Sequence, residues 1–234
     1  SWWLWINPIK IKYQMSEKDY ELNELVHATL LNPYLSKENF QINCELIKKY
    51  NIRNISTSLY FLKYLKDSLI DKNSKINVFI SYPLSDIPTE FLSELTNFAK
   101  ELGANGIEFI PKFFFLSDLK EDDFAKEIEI LTRSGLPVTL IFNYHKLDKT
   151  TLLKAINISL EMGIINFQFG DGFGPYINNN EIKQIMKLIG SERKLKISGC
   201  IKNLDQVIEI LNNGANSIGT SDFHLIFKDL KLPK

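Results

Sequence analysis

A chain of 234 residues that is 44% apolar can bury one sizeable core and has the length of a compact (β/α)8 barrel. Lys plus Arg and Asp plus Glu stand at 28 each, so no global charge argues for nucleic acid or an anionic membrane as a partner. Cys44 and Cys200 lie far apart and, with His27, His145 and His224, show no zinc spacing, which leaves no expected metal or cofactor and suits a reducing, cytoplasmic setting.

Trp2-Trp3-Leu4-Trp5-Ile6 is apolar, but Asn7-Pro8 cuts it far short of a membrane span. It lacks the basic leader and cleavage site of a signal peptide. Met15 reads as an ordinary start, so residues 1–14 are expected to be an N-terminal extension and residues 15–234 a single barrel domain. Strands are predicted at 25–31, 54–58, 76–82, 107–110, 138–142, 165–169, 194–198 and 217–220. Helices are predicted at 36–50, 59–70, 88–102, 120–133, 152–162 and 179–188, and from about 203. In the last of these helices Leu204, Val207, Ile208 and Leu211 form one apolar face, Asn203 and Gln206 a capping-box pattern, and Gly214 the stop. Strand and helix alternate without a linker, and no Gly-x-Gly-x-x-Gly follows the first strand. The predicted fold class is therefore α/β, a closed (β/α)8 TIM barrel, over an open doubly wound sheet.

In such a barrel the polar residues on the inward parity at the C-terminal strand ends carry function. Glu108 and Lys112 share one parity, Gln168 and Gly170 another, and Lys196 and Ser198 a third. A lysine inside a barrel mouth calls for a partner, and Glu108 is the candidate for Lys196. Strands seven and eight both end in small hydrogen-bonding residues, Ser198-Gly199-Cys200 and Gly219-Thr220-Ser221, a pairing that suits a phosphate held by backbone N–H groups. Those glycines taken singly would equally serve tight turns.

Lys196-Ile197-Ser198-Gly199-Cys200-Ile201 and Gly214-Ala215-Asn216-Ser217-Ile218-Gly219-Thr220-Ser221-Asp222 resemble the closing motifs of the deoxyribose-phosphate aldolase family, Lys-Ala-Ser-Gly-Gly-Ile and Gly-Ala-Asn-Arg-Ile-Gly-Thr-Ser-Ser. The resemblance runs from about residue 25 to 227 and implies a class I aldolase-type barrel. That family joins acetaldehyde to glyceraldehyde 3-phosphate through a strand-six lysine Schiff base, with a second lysine on strand seven and an aspartate on strand four. Lys196 matches the second lysine, and Glu108 matches the aspartate with one extra methylene. His27-Ala28-Thr29-Leu30-Leu31 stands for Asp-His-Thr-Leu-Leu, and Pro83-Leu84 keeps the Pro-Leu after strand three.

Strand six departs from the pattern. Gln168-Phe169-Gly170-Asp171-Gly172-Phe173 occupies the place of Lys-Thr-Ser-Thr-Gly-Phe, so Gln168 stands where the nucleophile should be. An amide nitrogen does not add to an aldehyde. Asp171 and Asp222 replace hydroxyl residues, and one carboxylate about 5 Å from a phosphate charge costs roughly 3 kcal/mol at an effective dielectric near 20. Phosphate is therefore expected to bind weakly at Ser198, Gly199, Cys200, Gly219, Thr220, Ser221 and Gly172. Three readings stay open. One is a diverged aldolase-like barrel that has lost the Schiff-base reaction and keeps a small-molecule pocket or an interaction role. Another is an active aldolase or lyase on a small aldehyde or sugar phosphate, its Schiff base moved to Lys196 or Lys112. The third is a phosphate-independent acid–base enzyme using Glu108 and Lys196. A homodimer is left open.

Overall fold

The computed structural model describes residues 10–12, 19–32, 36–69, 73–228 and 230. Two short strands, β1 (Lys10–Lys12) and β2 (Asp19–Glu21), form an antiparallel pair of their own and lead through the single turn α1 (Leu22–Leu25) into the barrel. The expected domain boundary at residue 14 lies outside the described residues. The barrel then runs β3 (Val26–Leu30), α2 (Lys37–Lys49), β4 (Asn54–Ser58), α3 (Leu59–Ser68), β5 (Lys75–Ile80), α4 (Thr89–Glu101) and β6 (Gly106–Phe109). It continues with α5 (Phe114–Ser117), α6 (Glu121–Thr132), β7 (Val138–Phe142), α7 (Lys149–Glu161), β8 (Asn166–Phe169), α8 (Asn179–Ile189), β9 (Lys194–Ser198), α9 (Leu204–Asn212), β10 (Ser217–Thr220) and α10 (Phe223–Lys228). β3 to β10 pair in parallel in sequence order, and β10 closes on β3. This is a (β/α)8 barrel.

Five helices start where short polar side chains accept from the first-turn N–H groups: Ser36 for α2, Ser58 for α3, Asp148 for α7, Asn178 for α8 and Asn203 for α9. Each such cap contributes about 1 kcal/mol. At α9 the reciprocal arm of the expected capping box reaches one residue further back: Gln206 Oε1 accepts from Lys202 N–H rather than from that of Asn203. α7 begins three residues before the predicted start because Asp148 caps it with both carboxylate oxygens, on Thr151 N and Oγ1. No described helix is long and apolar enough to cross a membrane.

The strands alternate in the unusual sense for a barrel. Val26, Ala28, Ile55, Val78, Ile107, Phe109, Leu140, Phe142, Phe167, Phe169, Leu195, Ile197 and Ile218 are buried in the apolar layer shared with the helices. Each large side chain there contributes roughly 1.5–3 kcal/mol on burial. The opposite parity points into the barrel and is mostly polar, His27, Thr29, Ser56, Asn77, Glu108, Thr139, Gln168, Lys196 and Ser198, with Phe79 and Ile141 the apolar exceptions. Many barrels fill this space with branched apolar side chains. Here it carries hydrogen-bonding groups and leaves a cavity at each end.

Candidate active site

Lys196, on the inward face of β9, sends its ammonium across the barrel to Glu108 on β6, with Nζ 2.8 Å from Oε1. Ser56 on β4 completes a triangle, donating to the same oxygen at 2.8 Å and standing 3.3 Å from Nζ. The lysine and glutamate side chains are only 7% and 1% exposed, so the pair is a desolvated one that depends on its internal partners. Gly219 makes room for it, since a Cβ there would lie 2.7 Å from Lys196 Cε and 2.5 Å from Ser198 Oγ.

Gln168 lies level with Lys196 on the neighbouring strand β8. Its Nε2 donates to Gly170 O at 3.0 Å, and its buried Oε1 has no protein partner. Gln168 lines the upper cavity, at the C-terminal strand ends, whereas Lys196 and Glu108 line the cavity at the opposite end. Inward parity at the strand ends therefore does not by itself bring Gln168, Lys196 and Glu108 to one mouth: Gln168 and Lys196 share a level of the barrel, with the amide on one side and the ion pair turned to the other.

Lys112 does not join them. β6 ends at Phe109, and beyond Pro111 the side chain turns outward to Glu127 on α6 and to Ile87 O, with Thr89 bonding the same carboxylate at 2.7 Å. The shared parity with Glu108 therefore carries no meaning past the strand end, and Lys112 is held by another acid.

The upper cavity, about 370 Å³, brings together Gln168, Gly172, Ser198, Gly199, Cys200, Gly219, Thr220 and Ser221. The Thr220 hydroxyl is occupied within the loop, donating to Ile201 O at 2.7 Å and accepting from Asp222 N at 3.0 Å. An aromatic wall faces these groups: Phe79 and Tyr82 have ring centroids 4.5 Å apart, and Tyr82 and Phe173 6.1 Å. Burial first, then the charges of Asp171 and Glu108, push the Tyr82 phenol up, so it stays protonated and donates to Asp171 O.

Asp171 lines the same cavity, but its carboxylate is turned to Lys146 Nζ at 2.7 Å, Asn143 Nδ2 at 2.6 Å and Phe173 N at 2.9 Å. Burial alone would raise its pKa. Lys146, the Phe173 N–H and Asn143 outweigh that and hold it below the usual carboxylate value. The repulsion expected against a phosphate is correspondingly reduced, and only Asp222 remains as an acid without an ion-pair partner among the cavity residues described. Lys146 and Asn143 are the functional neighbours that sequence reasoning missed. Their spacing of three across a single 3-10 turn, residues 144–146, was the only local signal. Among the described residues no three His, Cys, Asp or Glu side chains group as metal ligands.

No protein-family model matches the chain. It is 28% identical over 205 residues to a deoxyribose-phosphate aldolase of Dictyoglomus turgidum, covering 86% of this chain and 94% of the relative. It is 27% identical over 208 residues to the enzyme of that name from Thermococcus kodakarensis, covering 86% and 93%. Among solved structures, an aldolase called QR15 superposes with a TM-score of 0.82 at 22% identity, covering 89% of this chain and 95% of that one. A tetrameric deoxyribose phosphate aldolase of Aeropyrum pernix gives 0.78 at 19%, covering 89% and 90%. At those identities the superpositions speak for the fold alone.

Proposed function

We propose, from a chain related over most of its length to deoxyribose-phosphate aldolases, an aldolase-like barrel that holds a small polyhydroxylated carbonyl compound in its upper cavity and forms no Schiff base at residue 168. The observation that carries this reading is Gln168, a buried amide with an unpartnered carbonyl oxygen, lining a cavity that also presents Ser198, Ser221 and the faces of Phe79, Tyr82 and Phe173, with Lys202 and Asp222 offsetting each other and Asp171 paired with Lys146. An amide there accepts from a sugar hydroxyl, and Phe79, Tyr82 and Phe173 offer faces for its C–H groups. The cavity offers little net positive charge, which favours a free sugar over a phosphorylated one.

A second reading gives the amine role to Lys196 and is favoured by its 2.8 Å contact with Glu108. Proton transfer within that pair yields a neutral amine beside a carboxylic acid. The amine can then add to an aldehyde carbon. Glu108 returns its proton to the carbinolamine hydroxyl, which leaves as water and produces an iminium.

Borohydride reduction in the presence of acetaldehyde, followed by intact mass and peptide mapping, separates the two. The unaltered protein should take no adduct. Gln168→Lys should take one on residue 168, because burial at this level disfavours the charged amine while Glu108 already neutralises Lys196. An adduct on Lys196 of the unaltered protein would establish the second reading in place of the first. Calorimetry with 2-deoxyribose and with its 5-phosphate tests the pocket itself, and clearly tighter binding of the phosphate would overturn the preference for a neutral ligand.

A further inference from the structure

Among the described residues, the end of the barrel away from the upper cavity is open as well. At the N-terminal strand ends a cavity of about 580 Å³ reaches inward to Glu108 and Lys196. Its rim carries two lysines, Lys75 at the start of β5 and Lys194 at the start of β9. In the closed order those strands are four apart among eight, so the two ammonium groups stand on opposite sides of the opening. Neither is paired with a carboxylate among the described residues. The one acid on the rim, Glu24, is bridged by Arg53 at 2.9 Å. Deeper in, Glu108 and Lys196 neutralise each other. Among the described residues, two positive charges without an ion-pair partner therefore flank the mouth.

The inner end of the same cavity carries two buried polar atoms that protein atoms leave unpartnered. Glu108 is 1% exposed, and its Oε2 has no hydrogen-bond partner. His27, which also lines the cavity, has a buried and unpartnered Nδ1. Leaving such an atom unsatisfied costs on the order of 1–3 kcal/mol. Lys196, whose ammonium meets Glu108, stands two residues from Lys194 on one strand face, about 7 Å along the strand.

We propose that the lower mouth of the barrel binds a small hydroxylated anion, its phosphate or carboxylate held between Lys75 and Lys194 and a hydroxyl group donating to Glu108 Oε2. The spacing suits a ligand whose anionic head and hydroxyl lie a few bonds apart. The site is distinct from the upper cavity and does not depend on what that cavity binds. Because Glu108 belongs to both the receiving end of this site and the ion pair, an occupant here also touches the groups that face the centre of the barrel.

Glycerol 3-phosphate is the probe, titrated by calorimetry and by NMR of the side-chain amides, with Asn77 reporting from inside the lower cavity. The expected Kd is at or below ~1 mM at low salt, weakening as the rim charges are screened. Lys75→Gln with Lys194→Gln, both at exposed positions, should weaken binding at least tenfold, a loss of about 1.4 kcal/mol. Inorganic phosphate, which lacks the reaching hydroxyl, should bind more weakly than the probe. Ser221→Ala, in the upper cavity, should leave binding and the Asn77 shift unchanged. Equal affinity in the double variant would overturn the proposal. So would loss of binding in Ser221→Ala, or no detectable binding by the unaltered protein.

Discussion

Lys196, Glu108 and Ser56 form a triangle whose members come from three strands, and each justifies the burial of the others. Removing one partner of such a pair costs about 3–5 kcal/mol, because the remaining charge is stranded in a poorly solvated interior. His27 sits beside this pair, and two effects hold its pKa well below the ordinary imidazole value: burial first, then the Lys196 charge. The folded protein thus keeps His27 neutral, while the unfolded chain takes up a proton below about pH 6.5. Stability contributed by this group is present above that pH and is lost as pH falls through it, at up to ~1.4 kcal/mol per pH unit. His27→Leu should flatten the pH dependence of urea unfolding between about pH 6.5 and pH 5. Parallel stability curves for the two proteins across that window would show that His27 takes up its proton equally in the folded and unfolded chain.

At the scale of elements, β8 and β9 are held closer than a side chain would allow. A Cβ on Gly170 would lie 1.9 Å from Ser198 O, and the residue also has φ +91°. That approach sets the end of β8, and with it Gln168, against the Ser198-Gly199-Cys200 loop. Gly163 shares a left-handed backbone, φ +79°, but has nothing within 4 Å of its would-be Cβ. Gly163→Ala should therefore cost only the left-handed strain, about 1–2 kcal/mol. Gly170→Ala adds a steric clash of roughly 1–3 kcal/mol and should lower the thermal midpoint by several degrees more. Equal midpoints in scanning calorimetry would mean that the two strands part freely. The helices are governed more locally, and α8 shows how: Asn178 and Glu181 satisfy each other's backbone N–H groups in a full capping box.

For the whole molecule, closure matters more than any single element. Eight parallel strands returning to their start leave no sheet edge, and the apolar layer between sheet and helices is continuous around the ring. The β1–β2 pair forms a separate two-stranded sheet. Deleting residues 1–14, which removes β1, should therefore leave a cooperative thermal transition within roughly 3 °C of the full chain, about 1 kcal/mol at this size. Loss of cooperative unfolding in the shortened chain would make the N-terminal segment part of the domain. The relative from Aeropyrum pernix is a tetramer, and sedimentation of this chain would establish its own state.

The order of the elements was legible in the sequence because its signals are local. Strands 54–58, 138–142 and 194–198 were marked to the residue, the last by its period-two alternation, and capping residues such as Asn203 marked helix starts. The glutamine at 168 and the small loop residues at 198–200 and 219–221 were visible for the same reason. The short pieces that interrupt the regular alternation, α1 and α5, carry too few residues for a periodic signal and went unpredicted, and α10, which closes the alternation after β10, is too short to have been given bounds. What the chain alone determined is thus a parallel barrel, its polar inward parity and the absence of a strand-six amine. The tertiary structure decided which charge meets which. Glu108 takes Lys196 across the barrel, Glu127 takes Lys112 and Lys146 takes Asp171, while Lys75 and Lys194, on strands across the lower mouth, have no carboxylate partner among the described residues. Periodicity fixes which face a residue shares with its near neighbours. Partners 88 or 25 residues apart meet only through ring closure and the path of the loops, and neither leaves a local trace.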